Sequence, residues 1–261
     1  MSQHTVTGEV RLDSERCAAG DAVRGEVTGD HAEVRLVRVE TTPVGECPLV
    51  VATAEVLAGR FELPLSPTVA PTLRGPRCAI DYVVRAGEQR RKPGDPMAEV
   101  VIESAGVPVR VRERDPLLDR MISRFDARHF HLELVAAELR GGGRVQGRVH
   151  WDRGDPPPMV FVSARCDEAW RADRGLVNLH HPPLWQWENL WGERLELEWP
   201  AGARWLAYSF RFPEGLPTAV EAATLAWRYE VEVSRPARLG MHERAVATPI
   251  GFNVAPSADS F

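Results

Sequence analysis

Along most of the chain, apolar and polar residues alternate with a period of two, the pattern of half-buried strands. In "TLAWRYEVEV" the residues Leu225, Trp227, Tyr229, Val231 and Val233 share one parity, while Ala226, Arg228, Glu230 and Glu232 share the other. This predicts a strand with one buried and one wet face, as antiparallel sheets permit. The same alternation recurs in Ile80/Tyr82/Val84, Val107/Val109/Val111, Phe130/Leu132/Leu134 and Leu195/Leu197/Trp199. In "EVRLVRVE" the apolar phase passes from Val34/Leu36 to Val37/Val39. A one-residue slip exchanges the two faces, so a β-bulge is predicted there. No window of a dozen residues carries a helical period. The best short helix candidate, residues 115–125, opens with a capping Asp115 and Pro116 at the first helical position.

The strand pattern is written twice. Residues 59–84, "GRFELPLSPTVAPTLRGPRCAIDYVV", and residues 208–233, "YSFRFPEGLPTAVEAATLAWRYEVEV", share an order. Each has a Phe-x-[Leu/Phe]-Pro strand, a Pro-Thr pair, then an alternating strand carrying Tyr. Upstream, Gly20-Asp21-x-Val23-x-Gly25-x-Val27 is echoed by Gly142-Gly143-x-Val145-x-Gly147-x-Val149, and "SAGVPVRV" is loosely echoed by "TPIGFNV". Proline after a strand removes a ladder donor and ends it. Glycine inside a strand marks a bulge or a close backbone approach. Repeated in the same order, this punctuation predicts an all-β chain of two β-sandwiches, residues 1–114 and 128–261, with a linker at 115–127. Matched glycines lie 122 residues apart and matched phenylalanines 149, so the second copy is expected to hold about 27 extra residues around "RADRGLVNLHHPPLWQWENLWGERL".

The first copy resembles the arrestin-like superfamily. Its Pro71-Thr72-x-x-Gly75 precedes Ile80-x-Tyr82-x-Val84-x-Ala86, as a Pro-Ser/Thr-x-x-Gly loop precedes an Ile-x-Tyr-x-Val strand in arrestin N-domains. The Gly20–Val27 pattern and Phe61-x-Leu63-Pro64 stand in the same order ahead of it. After Pro217-Thr218 no glycine follows at the matching place, so the second copy joins the resemblance through the internal repeat. The resemblance implies two tandem immunoglobulin-like β-sandwiches and an adaptor or scaffold, not an enzyme; bacterial sporulation-control proteins are among the relatives. A switch that releases a long C-terminal tail is not expected, because "APSADSF" ends the chain soon after the last predicted strand.

Composition narrows the partners. The net charge is −5, with 17 Lys and Arg against 19 Asp and Glu in residues 1–125 and 15 against 18 thereafter. Neither half has the basic excess that counterion release from nucleic acid requires. No apolar run reaches the length of a membrane span, and "MSQHTVTGEV" lacks the pattern of a signal peptide. Cys17, Cys47, Cys78 and Cys166 are widely spaced without a C-x-x-C pair, which predicts reduced thiols and a cytoplasmic home. A single lysine, Lys92, beside 31 arginines points to a GC-rich bacterial genome.

The candidate binding residues cluster late in the chain. All eight tryptophans lie in the second half, and "WQWENLW" holds Trp185, Trp187 and Trp191 just after His180 and His181. Such a segment either caps the sandwich or presents a partner or self-association surface, where Trp concentrates at hot spots. A third reading makes the three rings a platform for sugars. His129, His131 and Glu133 alternate along one strand; metal ligation is weighed against a plain wet face, and the wet face is the expectation. Arg110 and Arg112, with Arg114, alternate with valines and could hold carboxylates or phosphates, as could the basic run at residues 85–92. Neutralisation by Glu88, Glu113 and Asp115 is the simpler reading. No nucleophile-elbow, zinc-protease or phosphate-loop motif occurs, so neither catalysis nor a cofactor is expected.

Overall fold

A computed structural model describes residues 8–29, 31–87, 95–103, 130–151, 154–172 and 185–234. Their regular structure is all β. In the first half, β1 (Val10–Leu12), β3 (Ala22–Val27) and β6 (Arg60–Pro64) form one sheet in the order β1-β3-β6. Facing it runs β2-β9-β8-β4-β5, made of β2 (Arg16–Ala18), β9 (Met97–Glu103), β8 (Ala79–Ala86), β4 (Glu33–Thr42) and β5 (Gly45–Glu55). The two-residue β7 (Leu73–Arg74) pairs with β8.

The second half pairs its strands by the same scheme. β10 (Phe130–Ala137), β11 (Arg144–Trp151) and β14 (Trp205–Arg211) stand as β1, β3 and β6 do. β13 (Trp185–Glu198), β12 (Met159–Arg171), β16 (Leu225–Ser234) and β15 (Val220–Glu221) stand as β5, β4, β8 and β7. Among the described residues, no strand of one half pairs with a strand of the other. The proposed linker and helix at 115–127, and the strand at Val107–Val111 with its echo near Val254, lie outside the described residues.

Two details of the repeat come from close packing. Gly25 and Gly147 hold matched places, and a Cβ on either would overlap a neighbour's carbonyl oxygen, that of Arg11 or Glu133. On the other side a Cβ on Gly25 would stand 2.8 Å from the Phe61 ring, and one on Gly147 would meet the Tyr208 ring. The register therefore sets Phe61 against Gly25 but Tyr208 against Gly147. The written echo, Phe61 with Phe210, is displaced by two residues, a shift that keeps the same face. The alternating Tyr strands behave as predicted. Tyr82 donates its hydroxyl to the Ala70 carbonyl at 2.6 Å, and Tyr229 donates to the Pro217 carbonyl at 2.7 Å, each twelve residues back.

Each half encloses an apolar core. The first gathers Val34, Leu36, Leu63, Ile80, Val84 and Ile102, all within 1% exposed; the second gathers Val145, Val149, Val160, Val162 and Phe210 likewise. Each such side chain contributes about 1.5–3 kcal/mol on leaving water. The first core, however, also takes in Trp170, Val220, Leu225 and Trp227 from the second half, so the halves share a buried joint.

The predicted bulge in "EVRLVRVE" needs correction. A register shift does fall between Leu36 and Val37, but the unpaired extra residue is Val51 on the partner strand β5. β4 itself keeps its phase: Val34, Leu36, Arg38, Glu40 and Thr42 all stay buried. The buried face changes from apolar to polar where it leaves the core and meets the second half.

Candidate functional site

β13 is the edge strand of its sheet and carries the three tryptophans. It is a strand that the first half also has, as β5, so the tryptophans belong to the common framework. The largest single share of the additional length lies in the connection, where residues 172–184 join β12 to β13 but Pro43 and Val44 suffice between β4 and β5; β12 and β13 are also each longer than β4 and β5. The even spacing of Trp185, Trp187 and Trp191 suggests one face, but Leu190 is an unpaired extra residue in the register with β12. The bulge divides them. Trp191 turns inward, edge-on to Phe212 with centroids 5.4 Å apart, beside the second core. Trp185 and Trp187 remain on the outer face with centroids 6.2 Å apart and planes 36° apart. Trp187 is 48% exposed.

Sequence reasoning did not find the cation that completes this patch. Arg228 of β16 lies over both rings, 4.7 Å from Trp187 and 5.5 Å from Trp185, and is paired with Glu221 at 2.9 Å. A guanidinium between two indoles is favoured by the ring quadrupoles. Asn189 on the same face donates to Asp167 at 2.9 Å. The patch thus offers two aromatic faces, one cation already balanced by an anion, and an amide. A three-ring sugar platform does not form, since Trp191 is elsewhere.

The second functional region is the joint. Glu40 and Glu168 hold matched positions, opposite Ile80 on β8 and opposite Trp227 on β16. Both are fully buried, and each reaches across to the turn that enters the other half's Tyr strand. Glu40 accepts from the Thr224 amide at 2.7 Å, the Thr224 hydroxyl at 2.6 Å and the Ala223 amide at 3.2 Å. Glu168 accepts from the Cys78 amide at 3.1 Å, the Arg77 amide at 3.2 Å and the Trp227 indole at 3.0 Å. The exchange is reciprocal, as across a pseudo-two-fold axis. Charge is balanced differently at each site. Arg38 pairs with Glu40 at 2.9 Å, whereas Glu168 is held by neutral donors. Gly75 admits this approach, because a Cβ there would overlap a Glu168 carboxylate oxygen and stand 2.6 Å from the Trp227 indole nitrogen. At the rim, Arg77 pairs with Glu188 and lies over Trp170.

The cysteines are unpaired. Burial, with help from Glu168, pushes the Cys78 thiol up to about 12, and burial does the same at Cys166, so neither is a nucleophile at neutral pH. On β10, Glu133 pairs with His150 at 2.9 Å and with Arg148 at 3.4 Å, and the His150 hydrogen bond chiefly holds its carboxyl below the usual range. Arg148 lies over the 45% exposed Trp205. The strand phase puts Glu133 on the wet side, and the side chain of His131 lies outside the described residues. His129, His180, His181, Arg110, Arg112 and Arg114 lie outside the described residues. No described helix is long and apolar enough to cross a membrane.

No family model matches this chain, and no curated protein matches it. Among solved structures, the native conformation of Escherichia coli alpha-2-macroglobulin is similar over 89% of this chain and 13% of that chain, at 11% identity and a TM-score of 0.24. The chain spans a small part of that protein's length, and a likeness at this level carries no argument about fold or function.

Proposed function

We propose that this chain is a non-enzymatic interaction scaffold of the arrestin-like kind, built by duplication of one sandwich unit and working in a bacterial cytoplasm. The matched pairing schemes of the two halves and the reciprocal Glu40 and Glu168 contacts support duplication. The exposed Trp187 on the β13 face, stacked with Arg228, is the observation that carries partner binding. An exposed indole in a rigid sheet face costs little entropy to immobilise, which is why Trp dominates interface hot spots. Glu221 keeps the cation balanced until a partner's carboxylate or carbonyl competes for it.

The test is affinity purification of the full chain from its native cells, with identified partners remeasured against Trp187→Ala. The expected result is a partner whose binding falls by about tenfold or more, equivalent to about 1.4 kcal/mol, with the melting temperature unchanged. Partner binding insensitive to Trp187 and Arg228 substitutions would refute the assigned surface. A saturable tryptophan-fluorescence response to oligosaccharides would instead favour a sugar-binding sandwich.

A further inference from the structure

The two halves end their larger sheets in matched edge strands, β5 and β13, and these edges differ in how they are guarded. Exposed edges present unpaired backbone groups, and proteins blunt them with charge, proline or bulges. β13 carries Glu188, Glu193, Arg194, Glu196 and Glu198 along its length. β5 reads "GECPLVVATAE": from Cys47 to Ala54 it has no charge, Pro48 and the unpaired Val51 are its guards, and Val50 is 48% exposed. Val56 donates its N–H inward to Ala32 at 3.0 Å, so strand alternation turns the N–H groups of Thr53 and Glu55 outward.

Beside this edge, which no described strand pairs with on its outer side, lies a groove of about 300 Å³. It is lined by Val51, Ala52 and Thr53 of β5 and by Pro64, Leu65, Ser66 and Val69, where the chain leaves β6, so apolar and polar groups share it. Val51 is the extra residue of the β5 bulge. At the two ends of the strand stand Glu46 and Glu55, both exposed and without an ion-pair partner among the described residues. The groove supplies room for alternate side chains, the edge supplies main-chain partners, and the ends supply exposed carboxylates.

We propose that β5 is an acceptor edge that takes an extended segment of a partner protein by strand addition, apolar in its middle and basic at both ends. The inference rests on the scaffold reading and names one of its docking sites. Strand addition derives affinity from main-chain hydrogen bonds and selectivity from the pockets beneath alternate residues. A second copy of the chain is the poorer occupant, because β5 has no basic residue to offer the other β5.

The probe is a fluorescent peptide of the length of β5, alternating valine and threonine with arginine at both ends, titrated into the full chain by anisotropy. Saturable binding is expected, weakened about tenfold or more by Thr53→Pro, which removes an outward donor, and by Val50→Lys, which guards the edge. Because Thr53→Pro can perturb folding, the exposed double variant Glu46→Lys plus Glu55→Lys is the second arm. It should transfer preference to the same peptide ended with glutamate. Equal binding of both peptides to the parent chain would overturn the charge rule. Sedimentation showing a dimer that Val50→Lys dissociates would assign the edge to a second copy and overturn the proposal. Trp187→Ala separates the two readings: peptide binding should survive it. Absence of peptide binding beside an intact Trp187-dependent partner would sink the β5 inference and leave the scaffold reading standing.

Discussion

Glu40 and Glu168 occupy the same place in two copies of one pairing scheme and solve the same problem differently. Each is a carboxylate removed from water to stitch one half to the other. Glu40 does so with a buried arginine beside it and a hydroxyl and two amides in front. Glu168 has an indole and two amides. A buried carboxyl group needs full hydrogen bonding more than it needs an opposite charge, and at the second site rigidly placed neutral donors fill that role. The cost of disturbing either should follow from what is left behind.

The largest loss is expected from Trp227→Ala, which opens a cavity in the shared core and removes a donor to Glu168. Chemical denaturation should show about 5 kcal/mol, the upper end for a buried tryptophan. Next comes Glu40→Ala at about 3–5 kcal/mol, because Arg38 would remain buried without its partner. Glu168→Ala strands only neutral donors and should cost about 1–3 kcal/mol. If Glu168→Ala proves the more damaging of the pair, the account of the two sites is wrong. Gly75→Ala forces Glu168 and Trp227 away and is expected to cost about 1–3 kcal/mol, with no comparable penalty for Ala222→Gly on the matching turn. Smallest of all, Trp187→Ala should change stability by no more than about 0.5 kcal/mol, as surface substitutions do; a thermal melt showing a large shift would make that indole structural.

Much of this architecture was legible in the residues. The alternation in Leu225–Val233 and Ile80–Val84 marks two strands whose inward residues are indeed buried, and the glycine pattern marks the backbone crossings at Gly25 and Gly147. The joint was not legible, because parity reading equates the buried face with the apolar one. Arg38 and Glu40 break that equation: their face is buried against another protein surface, so Val37 and Val39 looked like a change of phase. The tryptophan site failed for a related reason. Nothing in "WQWENLW" announces that Leu190 is left unpaired, and one unpaired residue sends Trp191 to the opposite side. Arg228 and Glu221 were hidden by distance along the chain, since only sheet register sets β16 one strand beyond β12 from β13, within side-chain reach of Trp185 and Trp187.

The tyrosine hydroxyls described above give the molecule an optical property. The sequence has three tyrosines, and all three are buried. Burial pushes Tyr82 and Tyr208 up to about 12 and Tyr229 upward as well. The unfolded chain releases these protons near the ordinary value of about 10. The folded state is therefore the more proton-retaining one, and this part of its stability is intact below the unfolded value and drains away as pH rises from there through the folded values of about 12 at Tyr82 and Tyr208. Ultraviolet absorbance of tyrosinate should stay silent during an alkaline titration until the sheets open, then appear in a single step. The protein thus carries its own indicator dye, one that reports loss of structure and not acidity.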